Sequence, residues 1–392
     1  MRTIFLAFAM LVSTLGAAAA SVACGGSFGD FVSRMKAEAI ARGHASETVD
    51  QFFAAVRQDP NVIRADRAQG IFQMPFTQFA RRLISQNRID NGVRNGQRYG
   101  DVFNAIESRW GVPRGVLLAF WAFETDYGAV QGDFNTVNAL MTLSHDCRRP
   151  DLFRPQVFAA LDLYERGDLD PRTTTGAWAG EIGMVQMLPG DIIENGVDGD
   201  GDGTVSLKTS PPDALMSGAQ MLSSLGWRPG EPWLQEVDVP GDLDWSVSGL
   251  GQPMPVSEWS QLGVQPRQGN LGPADLEAAL LLPQGRNGPA FLAYPNFNVY
   301  FEWNKSFVYV MTAAYFATRL EGGPIFNAGD PTPPLSEGQM KALQERLSAR
   351  GHDVGGIDGI LGRMTRDAVQ KEQSRLGLPA DAWPTVELLN SL

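Results

Sequence analysis

The stretch Leu117-Leu118-Ala119-Phe120-Trp121-Ala122-Phe123-Glu124-Thr125-Asp126-Tyr127-Gly128 constrains this chain more than any other. Gly111-Val112-Pro113 precedes it, and a proline at the first helical position is pre-set for helix entry. Gly128 sits where such a helix would stop. Between these signals the residues are apolar on nearly every face, which predicts a central, buried helix. Glu124 stands out among Phe120, Trp121 and Phe123. Burial there favours the protonated carboxyl, and a proton held near neutral pH is what a general acid needs. A structural ion pair with an arginine is the other reading, and the helix alone leaves both open. Asp126 is two positions on, so it does not share a helix face with Glu124 and the two form no dyad.

The chain has 392 residues, long enough for roughly two to three domains and a large core. Its formal net charge of −12 offers no basic stripe to neutralise phosphates, which argues against a nucleic-acid partner. Arg2, the apolar run Ile4 to Val12 and then Ala17-Ala18-Ala19-Ala20 read as a secretory signal over residues 1–20, too short to span a bilayer. The protein is therefore expected outside the cytoplasm. Cys24 and Cys147 form an even pair, which in an exported protein points to a disulfide. Lipidation of Cys24 is the competing reading, but Ser21-Val22-Ala23 lacks the leucine that such a site shows at its start.

Apolar spacing predicts helices over 28–42, after Ser46, over 76–86, 95–110 and 113–127, and after Asp151. Residues 168–213 read as loops and short helices. From 228 to 270, prolines, glycines and alternating pieces such as Glu236-Val237-Asp238-Val239 read as loops and a small sheet. Helices are expected again at Pro273–Glu277 and over 304–320. Residues 327–335 are a proline-rich, semi-rigid linker by composition. Beyond it, helices at 336–350 and 365–376, the latter capped by Thr365, and a short last helix make a small three-helix domain. The fold class is thus mainly α with a small β region, divided into 21–326, the linker and 336–392.

Three further stretches carry chemistry. Trp178-Ala179-Gly180-Glu181-Ile182-Gly183-Met184-Val185-Gln186 is glycine-rich enough for backbone to approach a ligand, and Gln186 offers a donor and an acceptor. A packed glycine-rich loop explains it equally well. Asp198-Gly199-Asp200-Gly201-Asp202-Gly203-Thr204 copies the first half of an EF-hand loop, and three alternating carboxylates repel unless neutralised. The bidentate glutamate that normally closes such a loop is missing, Thr209 stands in its place, and Asp213 is the candidate to close a longer excursion. A solvated acidic turn is the alternative. Tyr300-Phe301-Glu302-Trp303-Asn304-Lys305-Ser306-Phe307-Val308-Tyr309 sets aromatic faces beside an amide, which suits a sugar but equally an aromatic helix start in a core.

Taken in order, these pieces resemble the lytic transglycosylase B family of peptidoglycan-cleaving enzymes. The likeness runs from about Ser27 to Pro324 and rests on Phe123–Gly128, Cys147-Arg148-Arg149-Pro150, Trp178–Glu181, the loop 198–204, Leu225-Gly226-Trp227 and Trp303–Ser306. Asp358-Gly359-Ile360-Leu361-Gly362-Arg363-Met364-Thr365 is similar to the signature of a three-helix peptidoglycan-binding domain. The resemblance implies a lysozyme-like lobe, with Glu124 as the single acid that breaks the bond between N-acetylmuramic acid and N-acetylglucosamine and forms a 1,6-anhydro end. It makes Gln186, Asn304, Tyr309, Trp178 and Trp303 groove residues. It also makes Asp198, Asp200, Asp202, Thr204 and Asp213 the ligands of a structural calcium ion, with no cofactor for the chemistry. It further implies a periplasmic monomer acting on glycan strands, with cell-wall or secretion-system proteins as further partners. A non-catalytic wall-binding protein and a water-using muramidase are the alternatives. Ala177, Met184, Met187 and Met221 depart from residues common in the family, three of them where hydroxyls are usual, so more apolar subsites and lower or more selective activity are expected.

Overall fold

The computed structural model describes residues 23–68 and 74–392, so the expected signal over 1–20 lies outside the described residues. Helices dominate, joined by a two-stranded sheet and a five-stranded one. The small sheet pairs β1 (Phe134–Asn135) with β2 (Thr175–Gly176), antiparallel. The larger runs in the order β4 (Met254–Pro255), β6 (Glu277–Leu281), β7 (Ala290–Ala293), β3 (Leu234–Asp238) and β5 (Gln265–Pro266), also antiparallel.

The expected central helix spans Arg114–Thr125, and nine of its twelve residues are buried. It packs along the helix Phe307–Leu320, with the rings of Phe123 and Phe316 stacked at 5.1 Å. Close approach at its start depends on Gly115, where an added Cβ would lie 2.7 Å from the Ala317 carbonyl. The Gly115 N–H, free in a first helical turn, donates to Glu321 Oε1 at 2.6 Å. The helix ends at Thr125, three residues before Gly128. Asp126 and Tyr127 take left-handed backbone conformations themselves, at φ 51° and 59°. Asp126 is held in that turn by the Arg88 guanidinium at 2.9 Å, and the Tyr127 hydroxyl donates to the Arg88 carbonyl at 2.7 Å.

Several expected elements are corrected. Residues 95–110 form two helices, Gln86–Arg98 and Gly100–Trp110, that break at Tyr99. Gly92 and Gly96 of the first face the Leu320, Tyr127 and Arg114 side chains, so this helix is set by contact with the central pair and not by its own periodicity. Pro273–Glu277 is not helical but runs into β6, because Ala278–Leu281 are buried and pair with neighbouring strands, which overrides local propensity. The helix Thr136–His145 had no legible periodicity. Its buried Asn138 and Thr142 accept backbone N–H groups of Arg57 and Asp59 at 2.9 Å, so polar residues occupy interior positions. Ser46, Asp151 and Thr365 lie inside first turns and do not cap them.

The C-terminal helices Glu337–Ala349, Arg363–Arg375 and Val386–Ser391 enclose a core of their own around Leu343, Leu347, Val369 and Leu388. Its signature residues organise one buried side chain: Gln344 donates to Asp358 Oδ1 at 3.1 Å and to Thr365 Oγ1 at 3.3 Å. This bundle is seated on the rest of the protein. Gln370 donates to the Ser248 carbonyl at 2.9 Å, Arg286 pairs with Asp381 at 3.2 Å, and Trp383 donates to the Thr332 carbonyl at 2.9 Å. The proline-rich stretch is pinned as well, the Asn327 and Asp330 N–H groups donating to Glu236 at 2.7 Å and to the Asn287 carbonyl at 2.8 Å. A cleft of about 390 Å³ remains between the bundle and the start of the helix Phe307–Leu320, lined among others by Pro75, Lys305, Phe307, Leu361 and Arg366.

Cys24 and Cys147 are disulfide-bonded across 123 residues of sequence. Closing so long a loop stabilises by about 5 kcal/mol in the chain-entropy account. Peptide mapping of unreduced protein should recover the cross-linked pair, and reduction should lower the melting temperature. A lipid-modified Cys24 peptide would exclude the bond.

Candidate active site

Glu124 is part-buried near the end of the central helix, with a ring of aromatic residues around it. Phe120 stacks on Trp303 at 4.3 Å and on Tyr300 at 5.0 Å, so the segment before the helix Phe307–Leu320 is laid flat against the central helix. That stacking aims two donors at one atom. Trp303 Nε1–H donates to Glu124 Oε1 at 3.1 Å, and the Tyr309 hydroxyl donates to the same oxygen in a very short bond. Burial pushes the Glu124 carboxyl up to about 7, the Tyr309 and Trp303 hydrogen bonds pull it down, and the charge of Glu181 adds to the rise. Burial likewise raises the Tyr309 phenol well above its ordinary value, so it stays a donor.

The segment carrying Trp303 and Tyr309 is pinned between them. Asn304 Oδ1 accepts the Ser306 N–H at 2.9 Å, and Ser306 caps the following helix. Asn304 thus shapes the turn that presents both donors. Opposite lies the glycine-rich segment, hooked to the central helix by the Thr125 hydroxyl, which donates to the Met184 carbonyl at 2.6 Å. Gln186 sits at φ 53° and its amide donates to the Gly183 carbonyl at 2.7 Å, which fixes the bend of that segment. Trp178 is half-buried against the main core. Met184 lies against Gly128, and Met187 is 1% exposed, a core residue and not a groove wall. Met221 is likewise packed on the core.

Sequence reasoning gave Glu181 no role, and here it belongs to the electrostatics of the site. Burial raises its carboxyl, partly offset by Arg149, and its Oε2 has no hydrogen-bond partner among the described residues. The signal lay in the sequence as a charged residue between two glycines, which alone is indistinguishable from a loop-surface glutamate. Asp126 is turned away to Arg88, as its spacing predicts.

In the acidic loop, one oxygen from each of Asp198, Asp200 and Asp202 lies within 4.8 Å of the others. Such a set of exposed, convergent carboxylates fits a hard cation. Asp213 does something else: it is fully buried, and its two oxygens accept the N–H groups of Gly199 (2.9 Å), Asp200 (3.3 Å) and Ser206 (2.8 Å). It staples the loop shut through the backbone. Thr204 donates to Asp202 through both N–H (2.8 Å) and hydroxyl (2.7 Å). Just downstream, the Leu207 carbonyl accepts the Met184 N–H at 2.9 Å, joining the acidic loop to the glycine-rich segment.

A family model described as a transglycosylase SLT domain matches residues 27–318, and one for a peptidoglycan binding domain matches 336–392. The chain belongs to the transglycosylase SLT domain family. Membrane-bound lytic murein transglycosylase B of Escherichia coli (strain K12) is 28% identical over 234 residues, 59% of this chain and 64% of that protein. The chain thus spans less than two thirds of the length of that curated relative. The crystal structure of SltB3 from Pseudomonas aeruginosa, in complex with NAG-anhNAM-pentapeptide, superposes with a TM-score of 0.85 at 36% identity, covering 94% of this chain and 99% of that one. Soluble lytic transglycosylase SltB1 from the same organism gives 0.65 at 25% identity, with 74% and 99% covered. For a member of this SLT family, the mainly helical architecture with small sheets is the expected one.

Because the Glu124 carboxyl is pushed from 4.5 to about 7, the folded protein keeps a proton between those values that the unfolded chain has released. Stability attributable to this group therefore falls as pH rises through that window. Above it the penalty is on the order of 3 kcal/mol. Glu124→Gln should melt higher than the parent at about pH 8, with the difference vanishing near pH 4. An equal difference at both pH values would mean that the Glu124 carboxyl has the same pKa in the folded and unfolded protein.

Proposed function

We propose that this protein is a peptidoglycan lytic transglycosylase that cleaves the β-1,4 bond between N-acetylmuramic acid and N-acetylglucosamine and leaves a 1,6-anhydromuramoyl end. The observation that carries this reading is one carboxyl held near neutral pKa by burial and gripped by Tyr309 and Trp303. A hydrolase of the usual kind needs a second, charged carboxylate as nucleophile or base. Asp126 is committed to Arg88, and burial disfavours the charge of Glu181 and raises its carboxyl. SltB3, with its bound NAG-anhNAM-pentapeptide, supports the same substrate class.

The chemistry follows from that geometry. Protonated Glu124 gives its proton to the glycosidic oxygen, and the leaving N-acetylglucosamine departs as an alcohol. The positive charge on the anomeric carbon is met by the substrate's own acetamido oxygen, as in the substrate-assisted exceptions among glycosidases. Glu124, now a carboxylate held by the Tyr309 and Trp303 donors, takes the proton of the muramoyl 6-hydroxyl. That oxygen closes on the anomeric carbon, the carboxyl regains its proton, and no water is consumed. Trp178, Gln186 and Asn304 serve the groove, Gln186 and Asn304 by fixing the backbone of its two walls. Residues 21–326 form the catalytic domain, with 336–392 a wall-binding module behind the stretch 327–335. Action in the periplasm follows from the substrate, and no described helix is long and apolar enough to cross a membrane.

The acidic loop holds calcium through Asp198, Asp200, Asp202 and the Thr204 carbonyl, while Asp213 organises the loop from beneath. Its role is structural, because the loop braces the glycine-rich segment through Leu207 and Met184. An ion that binds only the folded state stabilises by mass action. Calcium added to chelator-stripped protein should raise the melting temperature, and Asp200→Ala with Asp202→Ala should abolish the rise. No response in the parent would make the loop an acidic turn.

Digestion of purified sacculi tests the activity. Anhydro-ended muropeptides are expected, whereas reducing ends would indicate a muramidase and no release a binding protein. Glu124→Gln, folded as the parent, should lose roughly 10²–10⁴-fold or more, since one residue serves both proton transfers. Asp126→Asn should lose far less.

A further inference from the structure

The C-terminal bundle reaches the helix Phe307–Leu320 through the side chain of Arg366. Arg366 donates from Nη2 to the Pro283 carbonyl at 2.7 Å and from Nη1 to the Leu282 carbonyl at 3.5 Å, both just beyond β6. So held, its guanidinium lies over the Phe307 ring, 4.5 Å from the centroid, with Trp383 of its own domain at 5.9 Å. Desolvation lowers its pKa to about 10, which leaves it charged at neutral pH. A partly desolvated cation over an aromatic face is worth more than an exposed one.

Phe307 is the first residue of the helix Phe307–Leu320, and Tyr309 is two residues further on in the same turn. Behind Phe307 run Ser306, which caps that turn, Asn304, which bonds Ser306, and Trp303. Trp303 and Tyr309, the two donors to Glu124 Oε1, therefore belong to one short segment with Phe307 between them. Two donors can meet one oxygen only if the spacing across that segment is fixed. Stacking on Phe120 fixes the Trp303 end. The Tyr309 end is the start of a helix beside the open cleft, where a first turn is most easily displaced.

We propose that Arg366 of the C-terminal bundle is a positioning residue for the catalytic acid, clamping Phe307 so that the first turn of its helix holds the Tyr309 hydroxyl on Glu124. The bundle is then a part of the catalytic apparatus as well as a wall-binding module. This inference rests on the lytic transglycosylase reading for its kinetic consequence, and on the geometry alone for the coupling.

The test is a cycle on the full chain: parent, Arg366→Met, Tyr309→Phe and the double variant. With soluble glycan fragments as substrate, Arg366→Met should lower kcat by roughly ten-fold and leave KM within about two-fold, because it misplaces a donor and removes no substrate contact. Arg366→Lys, which keeps the cation, should recover part of the loss. In the Tyr309→Phe background the same substitution should cost little more, since residues acting through one bond are not additive. Parental kcat in Arg366→Met, or an equal loss in both backgrounds, overturns the proposal. Should Arg366→Met fold poorly, Phe307→Leu removes the other half of the clamp and carries the same expectations. If the parent releases no anhydro ends, the functional reading falls, and the melting temperatures of the four proteins then decide the coupling. Losses that are less than additive support the clamp, and additive losses overturn it.

Discussion

The arrangement depends on a carboxyl group in a place that disfavours its charge. Glu124 is surrounded by rings, and burial outweighs the two hydrogen bonds that would otherwise favour its ionised form. In the proposed mechanism that balance decides the chemistry. With burial alone the acid would there hold its proton too tightly to act as a base in the second step. With stronger donors it would be ionised before substrate arrived. Tyr309 and Trp303 both donate to one oxygen of the carboxyl, and in the proposed mechanism they steady the carboxylate once it forms.

Everything near Glu124 serves to keep that balance. The helix Phe307–Leu320 is brought close by Gly115, and its stacked Phe316 fixes Phe123 one residue before the acid. The left-handed turn at Asp126 and Tyr127 is held by Arg88, which draws the second carboxylate away from the first. On the other wall, the glycine-rich segment is tied to the central helix by Thr125 and to the acidic loop by the Met184 N–H. Backbone polar groups carry most of these ties, which is why glycines and small residues crowd the segment.

The acidic loop illustrates how one residue type serves two ends. Asp198, Asp200 and Asp202 are exposed and converge, whereas Asp213, of the same chemistry, is fully buried and spends both oxygens on amide hydrogens. A carboxylate surrounded by N–H donors is satisfied without a metal. The same economy operates in the C-terminal signature, where Asp358 and Thr365 converge on Gln344 inside the bundle. Both motifs are legible as strings of residues, yet the division of labour within each is set by burial.

What the sequence determined by itself was local and periodic. The apolar run from Leu117 to Phe123 could only be a buried helix, and a glutamate within it had to be either paired or protonated. The disulfide, the cluster of three aspartates, the small sheet after residue 228 and the C-terminal three-helix unit were legible for the same reason: each is carried by spacing along the chain. What the tertiary structure decided was every choice between equally local alternatives. It made residues 277–281 strand because partners were waiting on both sides, and it filled the helix Thr136–His145 with polar groups because distant amides needed acceptors. It turned Asp213 inward, brought Glu181 to the acid, and set Arg366 of the last domain over Phe307. Those contacts join residues far apart in the chain, and no period or motif encodes which distant group will neutralise, cap or clamp a given side chain.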